Sequence, residues 1–405
     1  MDARLLWLAG GAFAIGTGSL IVTGILPNLA AGFGISVDSA GLLLTAFAIA
    51  YAIGSPVLST LLGNIERKFV LAGSLVVFAA ANLAGAFATD FSHLILARIV
   101  MALAAGVYMP AANAVAVTLV PPERRARAIA LVTGGMTVAL ILGVPLGTAA
   151  AAAGGWHLAF LLVALFGTLA LIGILWKLPI GLPRGASTMA ARLAVARRGD
   201  ILLALATTML WTTGAFTLYG YIAPFLANHG GITGLWLGAA LVVSGIGSAL
   251  GNQFGGIASD RFGPERTLTI VLTVLAGALA AFSLVAVTLP PTTAIFILPV
   301  ILVVWSAAGW AGHPSQMSRL AAMAPDSVVI ALSLNASAMY IGIAAGSVLG
   351  QQSIRLGNTS WLGFVGAACE VAALAVLWLA LRRKRAAKRS DSDITEIVIT
   401  APSVR

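Results

Sequence analysis

The sequence predicts an all-α membrane protein, with twelve transmembrane helices in two pseudo-symmetric six-helix bundles. Three observations predict it. Of the 405 residues, 60% are hydrophobic and only 9% charged, where a soluble domain keeps roughly a quarter charged. The apolar residues come in blocks of about 20, the length a helix needs to cross a hydrocarbon core of roughly 30 Å. The chain also resembles itself. "GLLLTAFAIAYAIGS" from Gly41 and "GLWLGAALVVSGIGS" from Gly234 share G-L followed by I-G-S at the same offset. Gly106 with Pro121, and Gly309 with Pro325, form a second related pair. Two similar halves are the expected sign of parallel repeats in a transporter.

Hydropathy places spans 1 to 6 at 5–26, 39–62, 69–88, 93–119, 126–150 and 157–178. Spans 7 to 12 fall at 201–226, 234–257, 267–288, 293–322, 328–354 and 360–381. Residues 1–178 are thus an N-terminal bundle and 201–381 a C-terminal bundle. Between them lies a basic linker, 179–200, with a short surface helix expected. The basic tail, 382–405, is expected to lie on the membrane surface and then to be disordered. The first block is too long for a signal-peptide core and is read as a retained helix.

The charges are sorted. Of the 23 Lys and Arg, all but Arg98 and Arg355 fall on one side if the N-terminus is inside. That asymmetry predicts both termini in the cytoplasm of a bacterial-type inner membrane, with anionic lipid attracted to the basic face. The net charge of +10 is therefore a topology signal, with no nucleic-acid partner implied. The single Cys369 excludes an internal disulfide and a Cys-based metal site. No cofactor or metal is expected, and the chain is read as a monomer.

Three motifs carry more. After span 8, "GGIASDRFGPER" places Gly256, Asp260, Arg261 and Gly263 in G-x-x-x-D-R-x-G spacing. Gly256 would permit close helix approach and Gly263 a tight turn, while Asp260 would latch the rim of the bundle. The first-half copy, "GNIERKF", is one residue shorter, with Glu66 and Arg67 in the acid-base positions and Lys68 followed by Phe69 where a Gly is usual. Span 5 carries Gly143, Pro145 and Gly147; small residues every four allow tight packing, and the Pro bends the helix.

These motifs resemble the major facilitator superfamily, and span 5 its twelve-span drug:proton antiporter branch. "FAIGTGSLIVTGILPNLA", "GYIAPFL" and "LSLNASAMYIGIAAGSVLG" are similar to the arabinose-type sugar, purine-nucleoside and chloramphenicol effluxers of that branch. The resemblance implies the major facilitator fold and proton-coupled efflux. One departure concerns the chemistry: those exporters usually carry an acid in span 1, at the position of Ser19.

The candidate coupling residues are Glu370, His313 and Arg98. Glu370 is the only acid deep in a span, nine residues after Trp361 and twelve before Arg382. Gly363, Gly366, Ala367 and Ala373 share its helical face, so it should meet another helix rather than lipid. It is either a proton-coupling group or a protonated, hydrogen-bonded packing residue. His313 either titrates or marks the break beside Pro314. Arg98 faces the cavity or snorkels outward as an anchor.

Candidate cavity contacts are Arg98, Asn113, Trp211, Tyr219, Tyr221, Trp305, Trp310, Asn335 and Tyr340, mixing ring faces with amides and hydroxyls. A cavity with Arg98 and no span 1 acid suits neutral polar or weakly anionic molecules better than lipophilic cations. The expected function is alternating-access export of small neutral or amphipathic molecules. An uncoupled facilitator of the same fold is the alternative. A membrane enzyme or sensor is a remote one, since there is no nucleophile motif, P-loop or soluble domain.

Overall fold

A computed structural model describes residues 3–121, 124–182, 189–356 and 359–400, without side-chain detail at 126, 329 and beyond 384. Eleven helices are long and apolar enough to cross a membrane. One of them, Arg127–Lys177, holds two of the expected spans, because its backbone leaves the helix at Gly154 and at Gly155, where φ is +77°. Only Gly adopts that conformation without strain, and the break yields twelve crossings. Spans 1 to 4 are Ala3–Phe33, Leu42–Leu61, Arg67–Ala86 and Phe91–Thr118. Spans 7 to 12 lie in Gly199–Tyr219, Gly234–Phe262, Pro264–Thr288, Pro291–Met323, Val328–Arg355 and Leu362–Thr400.

Two boundaries differ from the hydropathy reading. Span 7 stops at Tyr219, and a separate helix, Ile222–Gly230, carries the segment expected to continue it. The last helix runs on to Thr400 through the tail expected to be disordered. Its Arg, Lys and Ala are good helix formers, and a span already nucleated extends through them at little cost.

The repeated I-G-S serves the same packing in both halves. A Cβ on Gly54 would press on Leu103 of span 4, and Ser55 Oγ donates to Gly106 O at 2.7 Å. A Cβ on Gly247 would lie 3.1 Å from Ser306 Oγ and 3.2 Å from Val303 O of span 10. Span 5 packs on span 1: Gly143 abuts Thr17 and Gly147 abuts Ile21. The bend lies just before Pro145, where Ala139–Gly143 forms a π-helical turn. A proline has no N–H to give the preceding turn, which widens.

Span 2 packs against span 11, and spans 5 and 1 against span 8, so these helices join the two sets of six. Among the described residues, the side-chain contacts between the sets lie from mid-span to the end away from the basic loops. Ser347 Oγ donates to Gly41 O at 3.2 Å, Arg355 Nε pairs with Asp38 Oδ2 at 2.8 Å, and Tyr51 stacks on Tyr340. Gly24 in span 1 faces Leu241 in span 8 at that same end.

On the basic side the linker ties both sets together. Its start is held by the beginning of span 3, with Lys68 Nζ donating to Leu178 O at 2.6 Å and Gly181 N to Oε1 of Glu66, just before that span, at 2.7 Å. Its helix, Met189–Ala196, donates from Arg192 to Ser333 Oγ of span 11.

Candidate functional site

Arg98 projects from span 4 onto span 1 and is fully buried. Nη1 donates to Gly18 O at 2.5 Å, Nη2 to Ser19 O at 3.3 Å, and the guanidinium lies 4.2 Å from the centre of the Phe47 ring. It therefore does not snorkel toward the boundary. Its partners are carbonyls at the very position where an acid is missing, and Ser19 Oγ itself donates to Ile15 O at 2.7 Å. Tyr340 lies beside both Ser19 and Arg98. The Tyr340 ring stacks on Tyr51 with centroids 3.6 Å apart and planes 20° apart. Phe47 and Tyr51 escape a sequence reading because both sit inside an apolar run with no polar signal of their own.

Glu370 faces protein, as its small-residue stripe predicts. Span 12 crosses span 7 at a glycine pair: a Cβ on Gly214 would lie 2.6 Å from Gly366 O and 3.0 Å from Glu370 Oε1. One turn further along, Gly363 abuts Leu279 and Ser283 of span 9. The Glu370 carboxyl is fully buried, and neither oxygen has a hydrogen-bond partner among the described residues. Span 7 in turn seats on span 11 through Gly342 against Thr212, Gly346 against Thr213 and Gly350 against Thr217.

The other candidates do not gather in one cavity. Tyr219 stacks on Trp305 with centroids 5.3 Å apart, and its hydroxyl lies beside Thr23 of span 1, at the joint between the halves. Trp211 packs on Gly312 of span 10, 3.0 Å from where its Cβ would be. Asn335 accepts from Thr208 Oγ1 at 2.7 Å, and Gln316 Nε2 donates to the same hydroxyl at 2.8 Å, a buried network joining spans 7, 10 and 11. Trp310 and His313 form an edge contact with centroids 5.9 Å apart, half-buried in span 10. Asn113 is half-buried, with its Oδ1 unpartnered. Tyr221 lies away from the basic side, where its hydroxyl donates to Ser347 O at 2.9 Å. It holds the ends of the halves rather than a cavity wall.

The loop motifs divide likewise. Gly263, at φ +85°, makes the expected tight turn. Gly256 faces open space, and the close approach falls to Gly255, which abuts Ala311 of span 10. A helix turns about 100° per residue, so only one of two adjacent glycines can face the neighbour. Asp260 is exposed and Arg261 lies over the Phe262 ring at 5.4 Å. Glu66 and Lys68 hold the start of the linker instead of forming a rim latch. Among the described residues no group of His, Cys, Asp or Glu could hold a metal.

Two sets of six spans that meet at one end, with buried polar groups in the joint, define a multi-pass membrane transporter. The chain belongs to the Major Facilitator Superfamily, whose profile matches residues 8–347 and 205–400. It is 33% identical to the MFS-type transporter YbcL of Bacillus subtilis (strain 168), over 89% of this chain and 91% of the relative. It is 32% identical to the inner membrane transport protein YdhP of Escherichia coli (strain K12), over 94% and 96% of the two chains. A chloramphenicol resistance protein of Streptomyces lividans is 31% identical over 89% of this chain and 91% of its own. The fold is similar to that of a bacterial homologue of the human lysosomal transporter Spinster in an inward-facing, unoccupied conformation. The TM-score there is 0.74, at 17% identity over 94% of this chain and 96% of that one.

Proposed function

We propose that this chain exports small neutral or amphipathic molecules from the cytoplasm in exchange for protons, with its basic side and both termini cytoplasmic. The observation that carries the coupling is Glu370. An ionised carboxylate sealed from water without a donor is very costly, and a bound proton removes that cost. Loss of the proton would set a charge against the Gly214–Gly366 crossing. Span 7 rests on span 11 through three glycines, and span 11 carries Tyr340 onto Tyr51 of the first half. A run of packed contacts therefore links the proton site to the joint between halves. His313 and Arg98 are the further coupling candidates, and Asp260 a rim latch for the opposite state.

Everted vesicles from cells expressing the wild type and Glu370→Gln test this, with internal pH followed while sugars, nucleosides, phenicols and lipophilic cations are added. Proton release with a neutral solute in the wild type, abolished in the variant, is the expected result. Equal responses would make Glu370 a packing residue. Ser19 favours a second reading, an uncoupled facilitator, because the usual span 1 acid is absent; transport without any pH change would select it.

A further inference from the structure

The Arg98 guanidinium is a fully buried cation, and among the described residues no carboxylate touches it. Two carbonyls and the Phe47 ring lower the cost of burying it without neutralising it. Its Nε–H is buried and has no acceptor. Ser19, whose carbonyl accepts from Nη2, gives its hydroxyl hydrogen bond to Ile15 O at 2.7 Å and contributes no negative charge. Around this point stand three rings, Phe47, Tyr51 and Tyr340, of which Tyr51 and Tyr340 belong to opposite halves.

We propose that this site binds the carboxylate of an amphipathic weak acid, the ligand supplying the negative charge that span 1 lacks. A guanidinium presents its donors as a planar fork that suits a carboxylate better than two separate carbonyls. The longer of the two present bonds, 3.3 Å to Ser19 O, is the one a ligand displaces most readily. The three rings offer apolar faces to the body of the acid. Because the Tyr51–Tyr340 contact spans the halves, the site opens when they part. The inference rests on alternating-access export and extends its substrate class to amphipathic anions.

Equilibrium binding of radiolabelled benzoate and of benzamide, its neutral analogue, to the full chain in detergent at neutral pH tests the site. Benzoate is expected to bind at least about tenfold more tightly, as befits a charge-assisted pair. Arg98→Gln should erase that preference and Arg98→Lys retain part of it. Ser19→Glu should also erase it, by placing an internal carboxylate on the guanidinium. Equal affinity for the two probes in the wild type would overturn the proposal, as would an undiminished benzoate preference in Arg98→Gln. Should Arg98→Gln prove aggregated by size exclusion, Ser19→Glu decides: a preference that survives it overturns the proposal. Binding is read without a proton gradient, so its failure leaves the coupling reading intact, and a failure of coupling leaves this one.

Discussion

Tyr51 of span 2 and Tyr340 of span 11 stack face to face, 3.6 Å between centroids, and so clasp the two halves in mid-membrane. Beyond them toward the non-basic end lie Ser347 on Gly41 and Arg355 on Asp38. The three contacts differ in what they contribute.

The ring stack should contribute most. An aromatic pair adds about 1 kcal/mol beyond its buried area, or about fivefold in an equilibrium between states. Tyr340→Ala should therefore raise the population open at the non-basic end about fivefold. Labelling of a cysteine at Phe47 by an impermeant maleimide, in a Cys369→Ser background, reads that population. An unchanged labelling rate would remove the clasp role.

The Arg355–Asp38 pair should contribute little. Half of the Arg355 side chain is exposed, at 52%, and such pairs are worth at most about 1 kcal/mol and are screened by salt. Arg355→Ala should alter the same labelling rate less than Tyr340→Ala does, and high salt should remove what difference there is.

Adjacent glycines should behave oppositely. Gly255→Ala pushes a methyl into the Ala311 backbone and should destabilise by about 1–3 kcal/mol. Gly256→Ala meets nothing within 4 Å and gains helix propensity of up to about 1 kcal/mol. Thermal melts in detergent should lower the midpoint for the first and leave or raise it for the second. A melt ranking in the reverse order would refute this rotation of span 8 against span 10.

Gly214→Ala should destabilise as well, because its Cβ would lie 2.6 Å from Gly366 O. Glu370→Gln keeps the volume and should leave the melt nearly unchanged. A large loss of stability in Glu370→Gln would make the carboxyl a structural group rather than a proton carrier.

The linker tie should be local. Glu66→Ala removes the acceptor of the Gly181 N–H, a bond to a carboxylate worth about 1.5–3 kcal/mol. Amide exchange at Gly181 should accelerate about tenfold or more, while exchange in span 2 stays as it was. No acceleration would mean that Lys68 on Leu178 holds the segment alone.

The sequence by itself determined the crossings, their order and their pairing into repeats. Those follow from one-dimensional quantities: apolar length, charge sorting and the spacing of glycines. It also determined that Glu370 meets protein, because small residues at helical spacing mark a packed face. It could not separate Gly255 from Gly256, nor show that Glu66 and Lys68 hold the linker, since both depend on helix rotation and on segments over a hundred residues apart. Tyr51 and Phe47 were invisible for the same reason: an aromatic inside an apolar span looks the same whether it faces lipid, core or a cation. Only the tertiary structure set Arg98 on the carbonyls of span 1 beside Ser19, because which partner a buried charge finds is decided by how spans pack rather than by their order in the chain.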